Sequence, residues 1–449
     1  MAIADDSPAP GSVSHRLLSR IIDVRPSEVP ALAWSWLYIF SLLSSYYIMR
    51  PIRDQMGVAG GVNNLQWLFT GTLVGMLLLN LPFSWLVKTL PRERFIPISY
   101  RFFTANILLF ALALHLANPE QTIWVGRIFF IWTSIFNLFV VFIFWQMIVD
   151  IFTSQQGKRL FGFIAAAATL GAMSGSVFTI STVEHMAPAY LMVGAALMLE
   201  VAVYCVRRLS RLSTALSLRL EGDQPEQAIG GTLLGGIRDA LSSGYLLNVS
   251  LFLLLYAVTS TFLYFQQAAV VSHSFADRAA QTAFFATIDL GVNALTLVVQ
   301  LFLTGRILKW LGVGTTLALL PAFSVLGFAV LAATPTLASV VGFQLIRRAG
   351  NFAIARPTRE VLFTVLPRED RYKAKSFIDT VVYRLGDQVG AWSFALLAGW
   401  GLTQVSIVAA AISGGWLVNS LWLGRRQDTL AHQQEEKIAG SLGVDASRA

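Results

Sequence analysis

The stretch IWVGRIFFIWTSIFNLFVVFIFWQMIV, residues Ile123–Val149, decides the fold class, because Arg127 is its one charged side chain. An α-helix needs about 20 predominantly apolar residues to cross a bilayer. Similar runs recur along the chain, in which 55% of residues are hydrophobic and only 13% are charged. A soluble domain carries about a quarter charged residues. The sequence therefore predicts an all-α polytopic membrane protein.

We predict twelve transmembrane helices in two six-helix bundles, a major-facilitator-like arrangement. The predicted spans are Ala31–Met49, Leu65–Val87, Phe95–Ala117, Ile123–Val149, Leu160–Val183, Tyr190–Val206, Leu246–Val270, Ala280–Thr304, Val313–Ala333, Leu337–Ala355, Ser376–Trp400 and Leu402–Leu423. The longest polar interval lies between the sixth and seventh spans. The predicted domains are a cytoplasmic tail (1–30), an N-terminal bundle (31–206), a cytoplasmic linker (207–245), a C-terminal bundle (246–423) and a cytoplasmic tail (424–449).

The distribution of basic residues predicts the orientation. Most of the 33 lysines and arginines lie in the termini and in alternate loops. Because cytoplasmic loops carry the excess of positive charge, both termini are predicted to be cytoplasmic. The net charge of +8 is then a topology signal, since no aromatic-basic module for nucleic acid accompanies it. We expect contact with a lipid bilayer, no nucleic-acid partner and a monomer.

The two halves of the chain resemble each other weakly. Asp150-Ile-Phe-Thr153 is echoed by Val361-Leu-Phe-Thr364, and Gly171-xxx-Gly175 by Gly386-xxx-Gly390, which lies 215 residues later. Many secondary transporters consist of such repeated halves, with the substrate site between them. The alternative is chance recurrence, because basic loops and small-xxx-small motifs are common in membrane proteins.

Ionisable side chains inside the predicted spans point to function. A charge at membrane depth costs about 2.5–3.5 kcal/mol on insertion scales, so such residues usually line a cavity or pair with one another. The charged residues within the last five spans are Asp289, Arg347, Arg348, Asp379, Arg384 and Asp387. The mixture of signs indicates a polar cavity, and the arginines are candidate ligands for an anion.

The end of the first span concentrates polar groups on one helical face. Tyr46, Arg50, Arg53 and Asp54 fall within about 100° of one another on an α-helix. Pro51 removes a backbone donor and is expected to kink the helix there. We interpret this face as cavity-lining. The alternative is an ordinary periplasmic helix end.

The tenth span offers a second candidate anion site. Arg347, Arg348 and Asn351 supply two guanidinium groups and an amide close together. A guanidinium binds phosphate or carboxylate through paired hydrogen bonds, a geometry that lysine lacks. The alternative is structural pairing of these arginines with a carboxylate of the eighth or eleventh span.

The eighth and eleventh spans carry candidate gating or charge-pairing residues. Asp379 and Tyr383 share one face of span eleven, while Arg384 and Asp387 are spaced to pair within the helix. Asp289 has no local basic partner. It must therefore meet a cation from another helix or stay protonated.

A charged loop, residues 366–375, is predicted at the cytoplasmic mouth. Its alternating charges are candidates for gate salt bridges with Asp150, Lys158 and Arg159. A solvated charged loop is the alternative.

Enzymatic, metal and disulfide chemistry find no support in the sequence. No GxxxxGK[ST], HExxH or GxSxG motif occurs. The single Cys205 excludes an internal disulfide and a cysteine-based metal cluster. We predict no catalytic residue, no metal and no cofactor.

Several motifs together resemble one family of transporters. They are Tyr46-Tyr-Ile-Met-Arg50-Pro-Ile-Arg53-Asp54, Gly157-Lys-Arg-Leu-Phe-Gly-Phe163, Ile288-Asp-Leu-Gly-Val-Asn293, Ala355-Arg-Pro-Thr-Arg-Glu360 and Tyr372-Lys-Ala-Lys-Ser-Phe-Ile-Asp379. This set resembles the nucleotide (ATP/ADP) translocases of intracellular bacteria and plastids, and more closely their shorter relatives in free-living bacteria.

The resemblance implies a major-facilitator-type fold, nucleotide exchange and location in a bacterial cytoplasmic (inner) membrane. Arg50, Arg53 and Asp54 match an Arg-x-x-Lys-Asp element of the family, whose lysine is expected to contact phosphate. Arg53 takes the place of that lysine. The substitution keeps the charge and changes the geometry of the contact.

The resulting hypothesis is a secondary active transporter that exchanges nucleotides or related phosphorylated anions by alternating access. The predicted substrate contacts are Arg50, Arg53, Arg347, Arg348 and Asn351 for phosphate, and Tyr46 or Tyr383 for a base. Within transport, the alternative is a proton-coupled carrier of another organic anion or drug. From another class, the alternative is a non-transporting sensor or assembly factor on a transporter scaffold.

Overall fold

A computed structural model describes residues 22–90, 92–217, 243–366, 374–375 and 377–446. Helices account for nearly all of this part of the chain. In chain order they are α1 (Val29–Ala59), α2 (Leu65–Thr89), α3 (Arg92–Leu116), α4 (Pro119–Ile151), α5 (Ser154–Thr182), α6 (Pro188–Ser217), α7 (Gly244–Ser274), α8 (Arg278–Phe302), α9 (Thr304–Ala333), α10 (Leu337–Gly350), α11 (Tyr383–Leu397) and α12 (Leu402–Ala446). Each of them contains part or all of one predicted span.

Ten helices of the described residues are long and apolar enough to cross a membrane. They carry the first nine predicted spans and the twelfth. Large apolar side chains such as Leu77, Leu78 and Leu109 are more than half exposed on these helices. Such exposure is expected where lipid replaces water as the solvent. The prediction of an all-α polytopic membrane fold is confirmed.

The tenth and eleventh spans differ from the rest because π-helical turns interrupt them. Helix α10 continues through a π-helical segment (Asn351–Ala355) into a further α-helical segment (Arg356–Leu362). A second π-helical segment (Ile378–Val382) precedes α11. The π-helical turns of both helices adjoin the charged residues that the sequence singled out. Such turns are rare and frequently lie at functional sites.

Side chains of α8 and α9 hydrogen-bond to the π-helical segment of α10. Thr304 Oγ1 donates to the Ala353 carbonyl at 2.8 Å, and Gln300 Nε2 donates to the Phe352 carbonyl at 3.3 Å. Carbonyls in a widened helical turn need such external donors. These two hydrogen bonds therefore attach the π-helical turn to α8 and α9.

Local sequence signals account for several helix starts. Asn118 and Thr153 each form a capping box with a glutamine three residues later. The Asp277 carboxylate accepts from the Ala280 amide at 2.8 Å at the start of α8. These contacts satisfy backbone amides that a helix leaves unpaired in its first turn.

The chain forms two compact units. The first comprises the described parts of Met1–Asp54, Val74–Pro225 and Thr282–Leu290, and the second those of Gln55–Leu73, Glu226–Gln281 and Gly291–Ala449. A part of α2 thus belongs to the second unit and a part of α8 to the first. The predicted boundaries between bundles, linker and tails stay predictions.

In the first unit, α3 packs on α6 and α5 packs closely on α1. Small residues permit this approach. A Cβ added at Gly171 would clash with the Phe40 carbonyl, and one added at Gly175 would lie 2.5 Å from the Ser44 carbonyl. The Gly-xxx-Gly motif of α5 is therefore a helix-packing motif.

The second unit repeats this arrangement. Here α9 packs on α12, and α11 packs on α7. A Cβ added at Gly386 would lie 2.6 Å from Ala257 Cβ, and one added at Gly390 would lie 3.0 Å from the Val258 carbonyl. Both Gly-xxx-Gly motifs thus mediate equivalent contacts, which supports the predicted internal repeat.

Two helices extend beyond their predicted spans. Helix α9 begins at Thr304, nine residues before the predicted span, and crosses a kink at Gly312, whose φ is +72°. Helix α12 continues to Ala446 through the predicted C-terminal tail. Hydropathy marks the part of a helix that lies in lipid, so it does not register polar extensions.

Candidate functional site

The C-terminal half of α1 presents the first group of predicted residues. The helix continues through Pro51 to Ala59. Arg50, Arg53 and Asp54 are close enough for direct contact, and Asp289 of α8 joins them within the first compact unit. We call these four residues the Arg50 cluster.

Arg50 links α1 to α8. Its Nη1 lies 3.0 Å from Asp289 Oδ1, and its Nε lies 4.0 Å from Asp54 Oδ2. The Asp289 side chain is 2% exposed and that of Arg50 is 17% exposed. The Tyr47 ring lies 5.5 Å from the guanidinium. Asp289, which has no basic residue nearby in the sequence, therefore pairs with a cation from another helix.

Arg53 is held mainly by its sequence neighbour. Its Nε and Nη2 donate to Asp54 Oδ1 at 2.9 and 2.5 Å, and its Nη1 donates to Ser134 Oγ at 3.4 Å. The Phe130 ring lies 5.0 Å from the guanidinium. Two arginines and two aspartates of the Arg50 cluster therefore carry equal and opposite charge.

Tyr46 is buried next to the same cluster. Its ring meets the Tyr47 ring edge-on, with centroids 5.3 Å apart. An aromatic pair of this kind stabilises the local packing.

Arg347 has a different environment, because its hydrogen-bond partners among the described residues are all neutral. Its side chain is fully buried at 1% exposure in the second compact unit. Nε donates to Ser324 Oγ at 3.1 Å, and Nη2 donates to Thr259 Oγ1 at 2.7 Å and to the Tyr256 carbonyl at 3.2 Å. The contacts come from α7 and α9. We call Arg347 and these partners, together with Trp416, the Arg347 site.

Aromatic rings complete the Arg347 site. The Tyr256 and Trp416 ring centroids lie 5.2 and 5.9 Å from the guanidinium carbon. Within the described residues, no carboxylate pairs with Arg347 and nothing accepts from its Nη1. The buried indole N–H of Trp416 also donates to nothing in this part of the chain.

The energetics of this environment favour a negatively charged ligand. Removing a cation from water costs several kcal/mol, which an opposite charge normally offsets. Hydrogen bonds to a charged group contribute about 1.5–3 kcal/mol each, and cation–π contacts about 0.5–2 kcal/mol. These neutral contacts hold the side chain in place and leave its charge uncompensated. Among the described residues, Arg347 forms no ion pair with a carboxylate of the predicted eighth or eleventh span.

Arg348 and Asn351 lie beside this site and are partly buried. Asn351 opens the π-helical segment of α10. Their assignment to substrate stays a prediction.

Helix α11 contains the ion pair that its sequence spacing indicated. Arg384 Nη1 lies 3.1 Å from Asp387 Oδ2, and Thr261 Oγ1 donates to Asp387 Oδ1 at 3.5 Å. Tyr383 is partly buried, with its ring centroid 6.3 Å from that of Tyr256. Tyr383 therefore lies on the aromatic side of the Arg347 site.

Asp379 pairs with Arg359, a basic residue of the α-helical segment that follows α10. Arg359 Nη2 lies 3.0 Å from Asp379 Oδ1. This contact joins the α-helical continuation of α10 to the π-helical segment before α11. Lys375 and Glu360 form a further ion pair in the same region.

The predicted cytoplasmic gate is described only in part. Residues 367–373 of the predicted loop 366–375 and the Lys158 side chain lie outside the described residues, and Asp150 is exposed. Arg159 contacts the start of the first helix, with its Nη2 3.0 Å from Glu28 Oε1 and its Nη1 3.6 Å from Asp23 Oδ2. Gln156 also donates to Glu28 at 2.9 Å. The structure thus gives Arg159 partners in the N-terminal segment.

Sequence reasoning missed the neutral residues of the Arg347 site and Glu28. Thr259, Ser324 and Trp416 are ordinary residues of apolar spans. No local pattern marks them. Glu28 carried a weak signal, since it is an acidic residue immediately before an apolar run.

In the described residues, no group of three or more histidine, cysteine or acidic side chains is arranged to hold a metal ion. The Arg347 site itself consists of guanidinium, hydroxyl and aromatic groups. Such groups bind and orient an anion.

Comparisons with known proteins identify the fold. No protein-family model and no curated protein sequence matches the chain. A bacterial homologue of the iron transporter ferroportin matches with a TM-score of 0.62 and 12% identity, covering 89% of this chain and 98% of that one. A bacterial homologue of the human lysosomal transporter Spinster matches with a TM-score of 0.58 and 12% identity, covering 91% and 99%.

The nucleoside transporter NupG matches with a TM-score of 0.54 and 13% identity, covering 88% of this chain and 98% of that one. These similarities extend over almost the whole of each chain. Because the sequence identities are low, the similarities concern the fold alone. The chain is therefore a multi-pass, all-α membrane protein with a major-facilitator-like fold.

Proposed function

We propose that this protein is a secondary transporter of the bacterial cytoplasmic membrane that exchanges nucleotides or related phosphorylated anions by alternating access. The buried, neutrally surrounded Arg347 is the observation that carries the proposal. Both termini are cytoplasmic and the functional unit is a monomer in this account.

Arg347 supports an anionic substrate because its neighbours among the described residues are hydrogen-bond acceptors and aromatic rings, with no counter-charge. Phosphate and carboxylate oxygens accept hydrogen bonds from guanidinium nitrogens in paired geometry. Within the described chain, the buried Trp416 indole N–H has no acceptor, and its ring lies 5.9 Å from the Arg347 guanidinium carbon. An oxygen-rich anion supplies an acceptor and the missing negative charge.

The aromatic side chains favour a substrate with a planar ring. The Arg347 site contains the rings of Tyr256 and Trp416, and the Tyr383 ring lies next to that of Tyr256. Aromatic side chains stack on nucleobases, with about 1–3 kcal/mol per base. A phosphorylated group at Arg347 and a base against these rings describe a nucleotide, which agrees with the family resemblance of the sequence.

The Arg50 cluster suits a conformational role within the same cycle. Its arginines are compensated by Asp54 and Asp289, so the cluster is stable without substrate. Arg50 and Arg53 contact phosphate only when these pairs open. In this account, the cluster is the charge-pairing site and Arg347 is the principal anion site.

Counterflow in proteoliposomes tests the proposal. Purified protein in vesicles preloaded with ADP is expected to take up labelled ATP from outside. Vesicles without internal nucleotide, and vesicles without protein, are expected to take up little. Exchange is expected to persist with a protonophore present. Uptake that ignores internal nucleotide and collapses with the protonophore would instead establish the proton-coupled carrier.

A further inference from the structure

Among the described residues, Arg347 has no carboxylate partner, whereas several other arginines do. Arg50, Arg53, Arg159, Arg359 and Arg384 each form an ion pair. At 1% exposure, Arg347 is more deeply buried than either partner in any of these pairs. A cation in this position is the one for which a counter-ion matters most.

We infer that the transported anion is itself the counter-ion of Arg347, and that the neutral residues Ser324 and Thr259 thereby enforce exchange. This inference rests on the proposed function. Coupling here means that the carrier changes orientation only when it is loaded and not when it is empty. In this inference, the hydroxyl side chains of Ser324 and Thr259 determine this property.

The physical basis is the cost of closing helices around an uncompensated charge. In an open state, water solvates the exposed part of the guanidinium. Closure removes that water, and the penalty reaches several kcal/mol when no negative charge replaces it. A bound anion removes the penalty in the loaded carrier. The empty carrier meets it in full, so it changes orientation slowly and net transport is suppressed.

The positions of Ser324 and Thr259 make the inference specific. Ser324 Oγ lies 3.1 Å from Nε and Thr259 Oγ1 lies 2.7 Å from Nη2, so each occupies a place where a carboxylate oxygen would form an ion pair. An aspartate at either position would supply a permanent counter-ion. It would also compete with the substrate for the guanidinium.

The experiment replaces a hydroxyl by a charged group and by its neutral isostere. Ser324→Asp is compared with Ser324→Asn, which has the same shape and no charge. Thr259→Asp and Thr259→Asn provide a second pair in case one position does not tolerate the larger side chain. Gln404→Glu, at an exposed position in α12, controls for an added negative charge elsewhere.

Two transport rates are measured in proteoliposomes for each variant: ATP uptake into ADP-loaded vesicles and ATP uptake into unloaded vesicles. The ratio of the two reports coupling. In an aspartate variant the ratio is expected to fall by about tenfold or more, because the empty carrier returns without the penalty. The concentration of ATP needed for half-maximal uptake is expected to rise. The asparagine variants add the same bulk without the charge, so their ratio is expected to fall less than that of the matching aspartate variants. Gln404→Glu is expected to keep a wild-type ratio.

A thermal measurement separates coupling from folding. Ligand-free Ser324→Asp is expected to melt at a higher temperature than Ser324→Asn, and to gain less from added ATP, since its counter-ion is already present. The inference is overturned if wild-type protein exchanges nucleotides while both aspartate variants keep the wild-type ratio. It is also overturned if the asparagine variants uncouple equally. Absence of exchange in the wild type would refute the proposed function itself, whatever the variants do.

Discussion

Asp289→Asn is expected to destabilise the Arg50 cluster strongly. The change keeps the shape of the side chain and removes its charge. Asp289 is 2% exposed and lies 3.0 Å from Arg50, whose side chain is itself only 17% exposed. Water therefore has little access to the cation that the substitution leaves behind.

The expected magnitude follows from the geometry. Breaking a buried ion pair by removing one partner costs about 3–5 kcal/mol. The asparagine oxygen still accepts a hydrogen bond, and Asp54 remains 4.0 Å from the Arg50 Nε. Both contacts place the loss near the lower limit, about 3 kcal/mol. With the usual unfolding entropy per residue, that loss lowers Tm by about 3 °C in a chain of this length.

A double-mutant cycle is the assay. Tm is measured in detergent for the wild type, Asp289→Asn, Arg50→Gln and the double variant. Asp428→Asn, at an exposed position in α12, is the matched control. The double variant is expected to lose less than the sum of the single variants, because each single change leaves an uncompensated buried charge. Strictly additive losses, or a loss in Asp289→Asn no larger than in the control, would refute this reasoning.

Two further predictions concern packing and the N-terminal segment. Gly175→Ala is expected to lower Tm by about 1–3 °C, since overpacking costs about 1–3 kcal/mol and the added Cβ would lie 2.5 Å from a carbonyl of α1, whereas Gly415→Ala has open space and is expected to change Tm little. Glu28→Gln is expected to increase proteolytic cleavage near residue 25, because it removes the charge that pairs with Arg159 at 3.0 Å; unchanged cleavage would contradict that anchoring role.

The helices were largely predictable because the bilayer imposes a length and a composition on every span. The limits of that signal appear in α9 and α12. Residues Thr304–Gly312 and the end of α12 are helical without being uniformly apolar, so hydropathy did not include them. The π-helical turns next to α10 and α11 could not be predicted from the sequence, because such backbone geometry depends on external donors such as Thr304.

The candidate site was predictable only where partners are near in sequence. The spacing of Arg384 and Asp387 indicates their contact directly. The contact between Arg50 and Asp289 joins residues far apart in the chain, so sequence predicted a need for a partner and not its identity. The neutral partners of Arg347 were beyond reach, since a serine in an apolar span carries no distinguishing pattern.

The most direct test of the account is equilibrium binding of labelled ATP to the purified protein and to Arg347→Gln. Arg101→Gln, which removes an exposed arginine from α3, is the matched control. Loss of charge-assisted hydrogen bonds at Arg347 is expected to raise the Kd by about tenfold or more, while Arg101→Gln leaves it unchanged. An unchanged Kd in Arg347→Gln would contradict the central claim that this buried guanidinium holds the anion.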